Sequence, residues 1–439
     1  MSGSRLFYIE NFGCQMNVHD SEMLAALLNS EGWTQTSDFM LADAVILNTC
    51  SVREKAEQKV FSRFGILKQA KDSRPEVKLV LVGCMARAWG KKLFKRIPYL
   101  DIVLGPGRLH RLPECLSRPT WQRPQIDIDD SAYVFSLSPE LVDNPAQTMA
   151  WVTIMEGCDN FCSYCIVPYV RGRERSREDT EIIKEIEILV SKGVKEITLL
   201  GQNVNSYTGS EAGFPGLLRK IHDIDGLLRI RFTTSHPKDM SNKLIETVAE
   251  LPKVCEYLHF PAQSGSNEIL RRMNRGYTRE MYLDRVALIK RLVPNVALSS
   301  DFMVGFPGET EQDHQDTVSL VESVRYDNIF IFNYNPRPGT RAAELADDVP
   351  LSVKTYRLED LLNLQRRISM ERNSALIGSV VDVLVEGDAK RGGDLKMGRS
   401  RQNRVVNFTG DVKAGDLCWV MVESASPNCL YGHVGDEQS

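Results

Sequence analysis

The sequence lacks long apolar runs and an excess of one charge sign. No stretch approaches the about 18 uninterrupted apolar residues that a membrane-spanning helix needs, and the first residues show no basic region followed by an apolar segment. The net charge is −4 and the sequence pI is about 6.1, which excludes a basic field over the whole molecule, so any surface for nucleic acid must be local. We expect a cytoplasmic monomer without membrane contact, whose ten cysteines stay reduced and can bind metal.

A fourth cysteine is missing from the cysteine-rich stretch near the middle of the chain. Cys158, Cys162 and Cys165 lie within eight residues, and the next cysteine is Cys255. A closed structural zinc site takes four ligands, and a disulfide framework takes an even set in a small secreted chain, so neither fits. Three thiolates on one loop favour a 4Fe-4S cluster with one iron open to another ligand. The alternative is a loop of separately buried thiols.

The N-terminal part alternates strands with helices. Short apolar runs at 6–10, 44–47 and 77–82 are separated by helical patterns at 21–30 and 55–71. This alternation predicts an α/β fold with a parallel, doubly wound sheet.

Each of these predicted strands is followed by a cysteine, namely Cys14, Cys50 and Cys84. Because the carboxyl ends of parallel strands share one edge of a sheet, cysteines distant in sequence are expected to meet there. We therefore predict a second cluster with an open iron. Three separately buried core cysteines are the alternative.

The central part repeats a strand and a helix six times. Its predicted strands lie at 151–155, 196–200, 228–233, 256–260, 297–303 and 328–333. Six repeats predict a partial (β/α)6 barrel with its functional loops at the strand carboxyl ends.

Four arginines follow the cysteine loop. Guanidinium groups there suit a carboxylate or a phosphate, although a solvated loop is the usual reason for such a run of arginines. They are Arg171, Arg173, Arg175 and Arg177.

The tail differs from the rest of the chain. After a predicted helix at 351–374, strand-like alternation appears at 379–386, 404–408 and 417–422, which predicts a small antiparallel β-barrel like the oligonucleotide-binding folds. Basic residues are concentrated on it and suit a phosphate backbone. They are Lys390, Arg391, Lys396, Arg399, Arg401 and Arg404. The predicted domains are 1–117, a linker at 118–148, 149–374 and 375–439.

The spacing of the central cysteines, with Tyr164 before the third one, resembles the radical S-adenosylmethionine (SAM) superfamily. That resemblance implies that the open iron binds SAM and that the polar groups at the strand ends contact it. The segment VGFPGE at 304–309 is similar to the glycine-containing segment beside adenine in that superfamily. The SAM-binding residues expected in this way are Tyr164, Gln202, Asn203, Gln263, Ser264, Ser300, Asp301, Val304 and Glu309.

Three further motifs resemble the N-terminal domain of the methylthiotransferases: FGCQMN at 12–17, NTCSVREKA at 48–56 and VGCMA at 82–86. The residues after Cys14 and Cys50 are similar to the branch that acts on isopentenyladenosine. The tail resembles the TRAM RNA-binding domain, with GRSRQNRVVNF at 398–408 matching the same branch. The resemblance implies a flavodoxin-like N-terminal domain with an auxiliary 4Fe-4S cluster on Cys14, Cys50 and Cys84.

The function implied by the resemblance is methylthiolation of C2 of N6-isopentenyladenosine at position 37 of tRNA, with two 4Fe-4S clusters and two SAM equivalents. The expected partners are tRNA, a low-potential electron donor such as flavodoxin or ferredoxin, and a sulfur donor. One alternative is another methylthiotransferase branch, which acts on threonylcarbamoyladenosine in tRNA or on an aspartate of a ribosomal protein. An iron–sulfur RNA-binding regulator without catalysis is the second alternative.

Overall fold

The computed structural model describes residues 5–51, 54–119, 124–129, 134, 148–389 and 393–435. Its N-terminal part contains a parallel sheet, with six strands among the described residues, in the order β2-β1-β3-β4-β5-β6. The strands are β1 (Arg5–Phe12), β2 (Trp33–Gln35), β3 (Ala44–Thr49), β4 (Lys78–Gly83), β5 (Ile102–Leu104) and β6 (Gln125–Asp127). The helices are α1 (Gln15–Ser30), α2 (Glu54–Ser73), α3 (Cys84–Trp89), α4 (Lys92–Arg96) and α5 (Leu112–Ser117), with a 3-10 turn at Pro106–Arg111.

The central strand β3 is buried on both faces, as expected for a sheet covered by helices on each side. One apolar core lies on one face of the sheet and includes Phe64 and Leu67 of α2, while a second includes Leu24 and Leu28 of α1. The strand order confirms the predicted flavodoxin-like α/β fold. The register aligns Thr49 with both Phe12 and Gly83, so that β1, β3 and β4 end at the same level of the sheet.

The central part contains six parallel strands in two sheets, with orders β7-β10-β11 and β12-β13-β14 in the described part of the chain. An isolated parallel bridge joins Ile230 to Val254 between them. In chain order the elements are β7 (Met149–Thr153), β8 (Met155–Glu156), α6 (Val167–Val170), β9 (Arg175–Ser176), α7 (Asp179–Ser191), β10 (Glu196–Leu200), α8 (Gly213–His222), β11 (Arg229–Phe232), α9 (Asn242–Glu250), β12 (Tyr257–His259), α10 (Asn267–Arg272), α11 (Arg279–Leu292), β13 (Ala297–Val304), α12 (Glu311–Val324), β14 (Asn328–Asn333) and α13 (Leu351–Ser374). The predicted partial (β/α)6 barrel is confirmed.

The tail forms a closed antiparallel barrel, apart from one parallel pair, in the order β15-β16-β17-β19-β18. Its strands are β15 (Val380–Asp388), β16 (Lys396–Ser400), β17 (Val405–Thr409), β18 (Leu417–Ala425) and β19 (Cys429–Val434). The predicted barrel is therefore confirmed. The 118–148 linker lies mostly outside the described residues.

The hairpin between β16 and β17 packs against the amino-terminal ends of the central strands. Arg229, the first residue of β11, donates to the carbonyl oxygen of Arg399 at 2.8 Å. Arg231 donates to the carbonyl oxygens of Ser400 and Arg401 at 2.8 and 2.7 Å. Both arginines are almost fully buried. The hairpin thus closes the end of the partial barrel opposite to the edge where the cofactor is expected.

Two compact units emerge from the internal contacts. One comprises residues 1–144, 153–161 and 165–177, and the other comprises residues 145–152, 162–164 and 178–439. No helix among the described residues combines the length and the apolar character needed to cross a membrane.

Candidate functional site

The structure brings the three N-terminal cysteines together. The thiols of Cys14 and Cys50 share a hydrogen bond, which lowers the pKa of Cys14 to about 6. Cys84, at the start of α3, interacts electrostatically with Cys14, and burial raises the pKa of its thiol. Cys50 and Cys84 are buried, whereas Cys14 is exposed. The convergence follows from the sheet register, because each of the three follows a strand that ends at the same level.

Two buried asparagines connect the loops that carry these cysteines. Asn17 accepts hydrogen bonds from the backbone nitrogen and the thiol of Cys14, both at 3.3 Å. The Asn17 side chain donates to Asn48 Oδ1 at 3.0 Å, and Asn48 donates back to the Asn17 carbonyl oxygen at 2.7 Å. Neither asparagine was predicted from the sequence to have a role. The sequence does contain one signal for such a role, because Asn48 is a polar residue near the end of an otherwise apolar strand.

The close contact between β3 and β4 beside Asn48 requires a glycine at position 83. Its φ is +95°, and a Cβ there would lie 2.6 Å from both Asn48 Oδ1 and the Thr49 carbonyl oxygen. A residue with a side chain would therefore be strained and would push β3 and β4 apart just before Cys84. The close approach of the two strands depends on glycine.

The N-terminal donor set fits an iron–sulfur cluster. Three thiols converge, and thiolates are the ligands that iron–sulfur clusters take from proteins. Cys14 also caps α1, where the backbone N–H groups of Met16 and Asn17 favour its thiolate. In the described residues, no group of three or more His, Cys, Asp or Glu side chains is arranged around a single metal ion.

Most of the four arginines after the cysteine loop point into the protein. Arg171 and Arg177 are only 4% and 7% exposed, and Arg177 donates to the Thr153 carbonyl oxygen at 2.7 Å. Arg175 pairs with Glu156 at 3.5 Å. Only Arg173, among these four, has a largely exposed side chain. The guanidinium groups of Arg171 and Arg177 thus have partners within the protein.

The central cysteine loop is supported by specific donors. Asn160 Nδ2 lies 3.6 Å from the Cys158 thiol. Cys162 accepts a hydrogen bond from Arg275 Nη1 at 3.2 Å, and Arg275 is itself buried and donates to the Pro261 carbonyl oxygen at 3.0 Å. A cationic donor at a cysteine sulfur suits a thiolate ligand. Cys165 is half-buried.

His236 also faces Cys162, with its Nε2 atom 4.0 Å from the sulfur. Burial, with the charges of Arg275 and Lys238, lowers the pKa of His236 to about 2, so the ring is neutral. Its Nδ1 atom accepts from the backbone nitrogen of Lys238 at 3.2 Å, which assigns the proton to Nε2, on the side of the sulfur. Asn203 holds this turn by accepting from the His236 backbone nitrogen and donating to Asp239.

The other predicted SAM-binding residues occupy two kinds of position. Tyr164, Gln202 and Asp301 are partly accessible, and Asp301 lies 3.4 Å from His259 on the face that β12 and β13 share. Ser264, Ser300 and Val304 are almost fully buried. The Ser300 hydroxyl accepts from the Ala262 backbone nitrogen at 2.9 Å.

Two further predicted SAM residues shape the backbone of their loops. Gln263 has a φ of +70°, which is unusual for a residue with a side chain. It bridges to β13 through its own nitrogen and carbonyl oxygen. Glu309 accepts hydrogen bonds from the backbone nitrogen of Gly305 and from Arg357, and burial raises its pKa to about 7. Glu309 therefore closes the loop at 304–309 onto α13.

The basic residues of the tail are mostly paired. Arg401 binds Glu256 at 2.8 Å, and Arg404 binds Asp327 and Asn373. These acids precede β12 and β14. Arg399 pairs with Glu386 and Lys396 with Asp388, both within the barrel. Lys390 and Arg391 lie outside the described residues.

Comparisons with known proteins agree with this architecture. Residues 152–321 match the Radical SAM superfamily, 6–105 match Uncharacterized protein family UPF0004, and 375–434 match the TRAM domain. These matches fall within three of the predicted segments, whose exact boundaries stay a prediction.

Solved structures share the fold. The radical SAM methyltransferase TsrM from Kitasatospora setae, with cobalamin and a [4Fe-4S] cluster bound, superposes with a TM-score of 0.55 at 17% identity, covering 77% of each chain. The cobalamin-dependent SAM radical enzyme OxsB superposes with a TM-score of 0.50 at 12% identity, over 83% of this chain and 56% of the other. At these identities the likeness concerns the fold alone.

Curated relatives are similar along the whole length. The tRNA-2-methylthio-N(6)-dimethylallyladenosine synthase of Geobacter metallireducens is 51% identical, covering 99% of both chains. The proteins of that name from Geotalea uraniireducens and Desulforamulus reducens are 48% and 46% identical, covering 99% of this chain and 100% and 96% of theirs. The chain therefore belongs to the family of the tRNA-2-methylthio-N(6)-dimethylallyladenosine synthases, within the radical SAM superfamily.

Proposed function

We propose that this chain adds a methylthio group to C2 of N6-isopentenyladenosine at position 37 of tRNA, using two 4Fe-4S clusters and two equivalents of SAM. The observation that carries the proposal is the meeting of Cys14, Cys50 and Cys84 at one sheet edge. This second set of thiols provides ligands for an auxiliary cluster, separate from the cysteines of the central loop. Family membership over the full length supports the same substrate.

Two sets of residues hold the cofactors in this proposal. Cys158, Cys162 and Cys165 bind the cluster that binds SAM, and the N-terminal triad binds the auxiliary cluster. When bound, these groups supply the one-electron chemistry, the sulfur and the methyl group that no side chain provides. A cofactor is needed because the C2–H bond of adenine is neither acidic nor electrophilic enough for a side-chain base.

The protein's own contribution is binding and orientation. Arg275 and His236 direct N–H groups at the Cys162 sulfur, which stabilises it as a thiolate. The accessible residues Gln202 and Asp301 remain proposed contacts for SAM. The Ser300 hydroxyl accepts a hydrogen bond from the Ala262 backbone nitrogen. Ser300 would therefore hold the loop at Ala262 in place rather than contact SAM directly.

The tail is proposed to bind the tRNA while the barrel takes the target base. A base in a single-stranded anticodon loop leaves its stack more easily than a base in a duplex. Lys390, Arg391, Lys396 and Arg399 are the proposed phosphate contacts. Arg401 and Arg404 were proposed with them, but their ion pairs with acids of the central part support an anchoring role.

The surroundings of the reaction are proposed on chemical grounds. A low-potential donor such as flavodoxin or ferredoxin would reduce the SAM-binding cluster, and a separate donor would replenish sulfur. The cytoplasm is the proposed compartment, because reduced thiols persist there.

Matched cysteine variants test the division of labour. Cys158→Ala is expected to abolish formation of 5′-deoxyadenosine, whereas Cys50→Ala is expected to retain it and to lose methylthiolated nucleoside. Both products are quantified by mass spectrometry in anaerobic reactions with tRNA. Wild-type methylthiolation by Cys50→Ala would refute the role of the N-terminal triad.

A competition experiment distinguishes this substrate from those of the other branches. Reconstituted enzyme receives tRNA carrying isopentenyladenosine, tRNA carrying threonylcarbamoyladenosine, and ribosomal protein. We expect product on the first alone. Preferential modification of either of the others would contradict the assignment of the branch, and absence of SAM turnover with all three would favour a regulator.

A further inference from the structure

Arg171 is a buried cation that the proposed function leaves without a role. Its side chain is only 4% exposed. Its Nη2 atom lies 2.8 Å from Asp20 Oδ2, and its Nη1 atom lies 3.0 Å from Glu156 Oε1. Both carboxylates are also buried. The guanidinium is therefore fixed from two sides by elements far apart in sequence, α1 and β8.

The same guanidinium faces the N-terminal thiols. The guanidinium lies close enough to the side chains of Cys84 and Cys14 to interact with both electrostatically. It directly follows α6, whose Val170 packs with Ile166 against Cys84 in a small buried cluster. The packing of α6 on α3 thus delivers the cation to the thiols.

The charges in this region explain why a cation is needed. Without Arg171, Asp20 would lose this ion pair and Glu156 would keep only its longer pair with Arg175, at 3.5 Å, beside a site that must accept anionic thiolates. A buried charge that loses its partner is strongly unfavourable. An arginine remains protonated at any pH that a folded protein experiences, and its planar fork can serve several acceptors at once.

Hydrogen bonds to cysteine sulfur and local net charge are two factors that set the reduction potential of an iron–sulfur cluster. We propose that Arg171 is a positioning residue for the auxiliary cluster: its positive charge lies beside the Cys84 and Cys14 ligands and keeps the cluster at a higher reduction potential than the thiolates and carboxylates alone would allow. Asp20 and Glu156 hold the guanidinium in place. This inference rests on the proposed function, in which Cys14, Cys50 and Cys84 are the ligands.

The experiment isolates the auxiliary cluster. A reference protein with Cys158→Ala, Cys162→Ala and Cys165→Ala is reconstituted anaerobically, so that the N-terminal triad alone binds iron. A dye-mediated redox titration followed by electron paramagnetic resonance then gives the potential of one cluster. Iron and sulfide per chain are measured in every sample.

Two changes that each remove one charge should move the potential in opposite directions. Arg171→Gln removes a positive charge next to the cluster ligands. We expect the ratio of reduced to oxidised cluster at a fixed potential to fall by about tenfold or more, because solvent screens a buried charge only weakly. Glu156→Gln removes a negative charge and should raise that ratio. The matched control is Arg173→Gln, on the same loop but exposed, which should leave the potential unchanged.

Each outcome decides the question. If Arg171→Gln loses iron while its circular dichroism stays that of the reference, the positioning role is supported and Glu156→Gln decides the effect on potential. A loaded cluster with unchanged potential in both variants overturns the inference but leaves the proposed function intact. If the reference protein binds no cluster, or binds one independently of Cys50, the proposed function fails, and this inference fails with it.

Discussion

Replacement of Asn48 by alanine should open the N-terminal sheet edge. Asn48 is fully buried and donates to the Asn17 carbonyl oxygen at 2.7 Å and to Ser21 Oγ at 3.0 Å, and it accepts from Asn17 Nδ2 at 3.0 Å. The carbonyl oxygen of Asn17 keeps a bond from Ser21 Oγ, so the main loss falls on the Asn17 amide. At about 1–3 kcal/mol for a buried group that loses its partner, we expect a loss of about 1–3 kcal/mol.

Hydrogen exchange by mass spectrometry measures this loss locally. Because 1.4 kcal/mol corresponds to a factor of ten, protection of peptides from α1 and β3 should fall by about 5-fold to 150-fold. Loading of the auxiliary cluster should fall with it, since Asn17 also holds Cys14. Formation of 5′-deoxyadenosine, which depends on the central cysteines, should persist.

Asn373→Ala is a matched control, because Asn373 is also buried and donates to the Ser426 carbonyl oxygen at 2.8 Å, but belongs to the other unit. It should loosen peptides of the tail barrel and leave α1, β3 and the iron content unchanged. Wild-type protection and iron content in Asn48→Ala would refute the reasoning that this asparagine pair holds the cysteine loops together.

Three further predictions concern other parts of the chain. Gly265→Ala should lower the thermal midpoint markedly, because its Cβ would lie 2.3 Å from the Asp316 carbonyl oxygen; an unchanged midpoint would show that the loop moves freely. Gly65→Ala, in the middle of α2 with no heavy atom within 4 Å of the new Cβ, should stabilise α2 by about 0.5–1 kcal/mol in the same scan, and a loss would contradict this. Arg401→Ala should reduce hydrogen-exchange protection of β16 and β17 by about tenfold or more, because it removes the pair with Glu256; unaltered protection would argue against anchoring.

Much of the fold was predictable because it depends on local periodicity. The strands that precede Cys14, Cys50 and Cys84 are apolar and bounded by helices, so their parallel arrangement and the meeting of their cysteines followed from the rules for parallel sheets. Short strands were not predicted. β2 and β5 contain three residues each, which is too few for a period of two to emerge.

The partners of charged residues were less predictable. Arg171 reads as one member of a charged run, and its burial depends on Asp20, which lies 151 positions away. Arg275 has no sequence signal at all, since its role comes from the fold bringing it to Cys162. The tail arginines were predicted to bind RNA, and the fold also pairs Arg404 with Asp327, just before β14. Sequence reveals charge, whereas only the fold decides whether that charge is already neutralised.

The docked hairpin makes the tail an integral part of the catalytic half of the chain. Truncation at residue 375 would remove the carbonyl oxygens that accept hydrogen bonds from Arg229 and Arg231. It would also expose these two buried cations to solvent at the amino-terminal end of the partial barrel. A shortened protein that no longer binds tRNA would therefore be ambiguous, because the loss of folding and the loss of an RNA-binding surface would coincide. Exchange of this domain between relatives should succeed only when the arginines of β11 and the hairpin are transferred together.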